Sequence, residues 1–169
     1  MNTYGKNVTV SIYGESHGKG VGCVMDGLPA GLPLQETDFL EAMKRRQGGK
    51  KGATPRKEPD TPEILSGVFD GRTTGAPLNL FVANTNVRSK DYSHLLDMPR
   101  PGHSDWAARL KYGGYNDYRG GGHFSGRLTA ALVAAGEVAR KLTAPAKISA
   151  KLLEAGGSEN IDDAVSRAL

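Results

Sequence analysis

Residues 120–142 read GGGHFSGRLTAALVAAGEVARKL, a run of three glycines leading into the strongest helical signal of the chain. Leu128, Leu132, Ala135, Ala139 and Leu142 recur at alternating spacings of four and three, which predicts a helix with an apolar stripe. Its alanines permit close packing, and Ser125 stands where an N-cap is expected. A helix that opens behind flexible glycines presents unpaired backbone N–H groups to its approach, a place where an anion can dock. Upstream, VTVSIY at residues 8–13 alternates as a half-buried strand does and runs into the loop GESHGKG. A second apolar run, Val21 to Met25, is closed by the turn-rich DGLPAGLP. A short helix is expected after it, with Thr37 as N-cap, Phe39, Leu40 and Met43 on one face, and Lys44, Arg45 and Arg46 in its last turn.

Further along, QGGKKGATPRKEPD at 47–60 reads as a loop. Ile64–Phe69 and Pro77–Ala83 read as the two strands of a hairpin across DGRTTGA. Periodicity fades between Asn84 and Tyr118. After the long helix, KISAKLLEAGG reads as a strand and ENIDDAVSRAL as an amphipathic helix with no stop signal, so the chain reads as continuing beyond Leu169. Strands, helices and hairpin signals together predict an α+β layered domain. We divide it into residues 1–142 and a strand-plus-helix tail at 143–169.

The composition narrows the function. The chain has 169 residues, 38% hydrophobic and 24% charged, within the range of one globular domain. Its 23 glycines are about twice the usual share and come in clusters rather than repeats, which suggests loops that approach a ligand closely. No apolar run is long enough to cross a bilayer, and MNTYGKNVTV lacks the regions of a signal peptide, so a cytoplasmic location is expected. The single Cys23 excludes an internal disulfide and argues against a cysteine-built zinc site, and it reads as a buried small hydrophobe; no metal is expected.

Two of the four histidines, His17 in GESHG and His103 in RPGHSD, stand in loops framed by glycine or proline, while His94 lacks such framing. A single loop histidine is as often idle as useful. Two in such frames suit proton transfer near neutral pH, because the glycines let a substrate come close. Glu15, Ser16 and His17 are adjacent at a strand end and cannot all point inward, and no G-x-S-x-G elbow is present, so a serine hydrolase is disfavoured. The net charge of +4 is concentrated in Lys44, Arg45, Arg46, Lys50, Lys51, Arg56 and Lys57. Such a run is usually a solvated face. It contains no aromatic residue for stacking on bases, so small polyanions suit it better than nucleic acid, whose binding would show a steep salt dependence. GGGHFSGR lacks the G-K-[ST] ending of a Walker loop.

These motifs, taken together, resemble the chorismate synthase family. The resemblance is carried by GESHG, DGLPAGLPL, RRQGG, EPDTPEILSGVFDGRTTGAPL, RPGHSD and GGGHFSGRLTAALVAAGEVAR, in family order over residues 5–142. It implies a layered β-α-β sandwich, of which this chain holds about the N-terminal half. It further implies a lyase of the shikimate pathway, which takes phosphate and a ring proton from 5-enolpyruvylshikimate 3-phosphate in an anti 1,4-elimination. Reduced FMN is the implied cofactor, with NADPH as one source of its reduction, and a homotetramer is the implied assembly.

By position, the resemblance makes His17 the acid that protonates the departing phosphate and His103 the histidine near the flavin. It places Ser16, Arg46, Arg100 and Arg127 at the substrate. His123, Phe124, Ser125, Lys51 and Lys57 fall to the cofactor. Where the family commonly reads R-S-S-A-R-E-T this chain reads H-F-S-G-R-L-T, so His123 and Phe124 replace an arginine and a serine. Lys51 and Lys57 keep charge where arginine is frequent but lose its planar fork. Because family members are longer, the chain alone is expected to bind FMN poorly and turn over little. A non-catalytic anion-binding scaffold is the alternative, and an exposed apolar face and self-association are expected of either.

Overall fold

A computed structural model describes residues 2–48, 59–85 and 89–168. Strands β1 (Thr3–Gly5), β2 (Thr9–Gly14) and β3 (Gly20–Asp26) form an antiparallel meander, and helix α1 (Leu40–Arg46) follows a 3-10 turn at Glu36–Phe39. Next come β4 (Glu63–Ser66), a small ribbon of β5 (Val68–Phe69) and β6 (Arg72–Thr73), and β7 (Leu78–Ala83). Helices α2 (Asp105–Lys111), α3 (Thr129–Leu142) and α4 (Ile161–Ala168) complete the chain. The main sheet is five-stranded in the order β1-β2-β3-β7-β4, antiparallel throughout. The fold is α+β.

The core lies between the sheet and α1 and α3. Val21, Cys23 and Met25 of β3 alternate towards it, as do Leu78, Leu80 and Val82 of β7, and the register pairs Val21 with Val82, Cys23 with Leu80 and Met25 with Leu78. Phe39 and Met43 and the alanines of α3 close on this face. Burial without a partner charge pushes the Cys23 thiol up to about 12, which leaves it inert as the small hydrophobe expected. Among the described residues no helix is long and apolar enough to cross a membrane.

Several expectations are corrected in detail. The buried stripe of α3 is Ala130, Ala131, Ala134, Ala135 and Val138, while Leu132 faces outward at 39% exposure. Alanines bring the helix axis close to the sheet, so the stripe turns to put the smallest side chains inward. Leu40 is exposed for a related reason: Phe39 and Met43 already fill the space under α1. The turn into α1 begins before Thr37, where the Asp38 carboxylate accepts the backbone N–H of Gln35 at 2.8 Å and also meets Lys141 at 2.6 Å. β4 and β7 pair as foreseen, but the register shifts after Ile64 and the chain between them forms the β5–β6 ribbon rather than a simple turn. No strand forms at 147–153: Ile148, Leu152 and Leu153 are exposed, and no neighbouring edge pairs with them. Helix α2 was not expected, because DWAARLK is a short stretch with Trp106 and Leu110 facing outward and shows little apolar period.

Candidate functional site

The loop Glu15–Lys19 joins β2 to β3, and Gly120–Gly122 crosses above it. The three glycines all have positive φ (58°, 85° and 55°), a run that side chains with a Cβ rarely adopt. They also pack too tightly for one. A methyl on Gly120 would lie 2.4 Å from Ser16 Oγ and 2.6 Å from His17 Cδ2, and one on Gly121 would lie 2.7 Å from His103 Cε1 and 3.1 Å from a guanidinium nitrogen of Arg100. Two consecutive glycines therefore bring the two loop histidines against one turn, although the histidines are far apart in the chain.

His17 and Ser16 are buried, whereas Glu15 faces solvent. The backbone N–H of Ser16 donates to Gly122 O at 3.1 Å and its hydroxyl to Gly120 O at 3.3 Å. The His17 ring stands edge-on to Tyr92, centroids 4.8 Å apart. His103 is half-buried, with Nδ1 2.7 Å from Asp105. A carboxylate accepts only, so Nδ1 donates to it, and Arg100 Nη2 lies beside both ring nitrogens, 3.2 Å from Nδ1 and 3.4 Å from Nε2.

Asp105 also accepts Arg100 Nε at 2.8 Å, Nη2 at 2.9 Å and the Arg100 backbone N–H at 3.0 Å. The Arg100 hydrogen bonds hold the Asp105 carboxyl down at about 2 against the opposing effect of burial. That folded value lies below the ordinary 3.8, so the pair stabilises the fold fully above about pH 4, and this contribution is lost as pH falls through 2. Screening at the partly open Arg100 leaves about 1–2 kcal/mol. Asp105→Asn is expected to lose this amount at pH 7, and urea unfolding should show the gap to the parent chain closing between pH 4 and pH 2.

A buried ionic group is tied to the His17 loop through Asn84. Asp60, in the left-handed region at φ 46°, receives Arg46 and Arg127 together. Arg127 also donates from Nε to Asn84 Oδ1 at 2.9 Å and from Nη2 to Ala83 O at 3.1 Å. Arg46 reaches Thr129 Oγ1 at 3.5 Å. Its Nε is buried without a hydrogen-bond partner among the described residues. Asn84 in turn holds the His17 loop through three carbonyls.

Where β2 runs into the His17 loop a cleft of about 470 Å³ opens, lined by Tyr13, Glu15, Tyr112, Tyr115, His123, Phe124 and Asp117, among others, but by neither His17 nor His103. His123 Nδ1 donates to Gly14 O at 2.9 Å, which fixes the ring in the cleft wall. Arg119 holds the Asp117 carboxyl below the usual range, and His17 adds to that effect. Ser125 caps the turn into α3, its hydroxyl accepting the Arg127 N–H at 3.3 Å.

Of the residues singled out from the sequence, His17, Ser16, His103 and Arg100 meet at the glycine turn, Arg46 and Arg127 meet on Asp60, and His123 and Phe124 line the cleft. Lys51 and Lys57 lie outside the described residues, as do Lys50 and Arg56 of the same basic run. Sequence reasoning passed over Asp60, Asn84 and Asp105. Asp105 closes the motif RPGHSD, and Asp60 stands in the polar turn EPDTP, so two of the three had a local signal. Asn84 follows a strand with none.

Three comparisons agree. The family model described as chorismate synthase matches residues 8–166. The chorismate synthase of Chitinophaga pinensis is 51% identical over 170 residues, covering 100% of this chain and 51% of that protein. That of Methanocaldococcus jannaschii is 56% identical over 143 residues, covering 84% of this chain and 38% of that protein. A solved structure described as a crystal structure of chorismate synthase superposes with a TM-score of 0.56 at 36% identity, covering 80% of this chain and 34% of that one. The chain thus spans about half or less of the length of these relatives.

Proposed function

The chain belongs to the chorismate synthase family, and on that premise we propose that it carries acid–base and anion-binding parts of the elimination of phosphate from 5-enolpyruvylshikimate 3-phosphate to give chorismate. The observation that carries this reading is the placing of His17 and His103 against consecutive glycines, with Arg100 beside one and the Arg46–Asp60–Arg127 group tied to the loop of the other. In the reaction the carbon–oxygen bond to phosphate and a ring C–H bond break, and a ring double bond forms, with no net redox change. His17 gives a proton to the departing phosphate. Ser16, Arg46, Arg100 and Arg127 meet the substrate's anionic groups, and fixed cations in a half-buried site stabilise the charge that grows on the leaving group.

The residues present fit the ring system of a flavin. The cleft is lined by the aromatic side chains of Tyr13, Tyr112, Tyr115 and Phe124, and His123 and Asn116 supply polar atoms at its walls. His123, Phe124 and Ser125, with Lys51 and Lys57, would hold the cofactor. When bound, reduced FMN lends electron density to the allylic system. Asp105 holds the His103 ring through Nδ1, so Nε2 faces the glycine turn. NADPH would serve to regenerate the reduced flavin, and the assembly would be a homotetramer of the family type. The division at residue 142 into a family-like region and a tail is part of the same reading.

The test is anaerobic incubation of the 169-residue chain with 5-enolpyruvylshikimate 3-phosphate and FMN, with chorismate followed by chromatography. Slow chorismate formation with reduced FMN and none with oxidised FMN is expected. Saturable substrate binding with no product under either condition would overturn the catalytic reading in favour of an anion-binding scaffold.

A further inference from the structure

Asn84 follows the last residue of β7, and β7 lies beside β3, so its backbone N–H donates to Lys19 O at 3.0 Å and its side chain projects under the loop that carries His17. The Nδ2 group lies 2.9 Å from Glu15 O, 3.1 Å from Ser16 O and 3.0 Å from Gly18 O. Three carbonyl oxygens turned towards one point repel each other, and a neutral amide donor between them relieves that repulsion. The amide can stand only one way round. Its Oδ1 accepts Arg127 Nε at 2.9 Å, and a flip would set N–H against N–H on one side and oxygen against three oxygens on the other.

Among the described residues the loop's backbone is also held where Ser16 N–H reaches Gly122 O at 3.1 Å and Gly18 N–H closes a turn on Glu15 O at 3.1 Å, and its side chains where the Ser16 hydroxyl meets Gly120 O at 3.3 Å and His17 stands against Tyr92. Asn84 adds the side chain that ties three of the loop's carbonyls to the sheet edge. It is also the link between that loop and the arginine pair on Asp60, since Arg127 bonds both. We infer that Asn84 is a positioning residue for His17, latching the histidine loop by its amide donors and coupling the loop to the guanidinium of Arg127. The latch stands on geometry alone, while its consequence for turnover rests on the proposed use of His17.

Asn84→Asp separates this role from space filling, because aspartate keeps the shape and still accepts Arg127 Nε but sets a carboxylate against three carbonyls. Amide hydrogen exchange on the isotopically labelled chain is read at Ser16 and Gly18, with Val21–Met25 and Ala131–Val138 reporting the global fold, together with the His17 ring signals. At least about tenfold faster exchange at Ser16 and Gly18 is expected, with the reference amides changed less than about threefold and the His17 ring signals moved. With reduced FMN, kcat should fall about tenfold while KM for the substrate changes little, the signature of a misplaced group rather than lost binding.

Asn84→Ser, which keeps one donor, should give an intermediate result in every readout. Unchanged exchange at the loop amides in Asn84→Asp would overturn the latch, as would a uniform rise across loop and reference amides. Unfolding of both variants would overturn it too, since Asn84 would then serve only general stability. Loop release with unaltered kcat would overturn the positioning role. Should the parent chain form no chorismate, the proposed function fails separately, and exchange together with the His17 signals decides the role of Asn84.

Discussion

Replacing Asp60 with alanine is expected to lower the unfolding free energy by about 3–5 kcal/mol, because it leaves two inward-facing guanidinium groups without their shared carboxylate. Asp60 is 3% exposed, Arg127 is buried, and Arg46 is only partly open to solvent. Arg127 would keep Asn84 and Ala83 as acceptors, but those are neutral and do not offset its charge or that of Arg46. For a domain of this size the loss corresponds to a fall of roughly 6–20 °C in Tm.

Asn at this position makes the argument sharper. Asparagine tolerates the left-handed backbone at φ 46° as well as aspartate does, so Asp60→Asn removes the charge without adding backbone strain. It should still cost most of the stability that Asp60→Ala costs, and Arg46→Met made on the Asp60→Asn background should restore part of it by removing one unpaired charge. Urea unfolding measures all three. A loss under about 1 kcal/mol for Asp60→Asn would mean that solvent, rather than Asp60, satisfies the two arginines.

This network shows what periodicity and motif reading can and cannot reach. The strands at Thr9–Gly14 and Gly20–Asp26, the short helix after the proline-rich turn and the long alanine-rich helix followed from local pattern, since each has one face that must be buried. The histidine loops and arginines stood out by residue type. Asn84 did not, because its importance comes from β7 lying beside β3, a pairing of strands more than fifty residues apart. Asp60 looked like part of a charged loop, and only the meeting of α1, the segment before β4 and the start of α3 turns it into a buried counter-ion. The inward stripe of α3 was misjudged by a fraction of a turn for a similar reason. Hydrophobicity ranks leucine above alanine, but close approach to a sheet ranks the smaller side chain first, and Leu132 gives way.

A methyl added at Gly120 should reduce turnover at least about a hundredfold, and one added at Gly121 should do less, about tenfold. Both positions have positive φ, so alanine at either costs about 1–2 kcal/mol of backbone strain, and Gly120→Ala adds the cost of crowding the buried Ser16 and His17. They differ in what the methyl meets. At Gly120 it would lie 2.6 Å from His17 Cδ2 and 2.8 Å from Nε2, against a ring that is only 6% exposed and is backed edge-on by Tyr92. That ring cannot swing away without moving its loop, and a displacement of about 1 Å in a reacting group costs on the order of a hundredfold in rate. At Gly121 the methyl would meet His103 Cε1 at 2.7 Å and Arg100, both partly open to solvent, so these side chains can yield outward while Asp105 still holds Nδ1.

The ordering of the two variants is thus a measure of which histidine is locked and which can adapt. Rates with reduced FMN, together with the His17 and His103 ring signals of each variant, read it directly. Equal losses at the two glycines would overturn the ordering, and a larger loss at Gly121 would show that His103 rather than His17 is the group whose position limits the reaction.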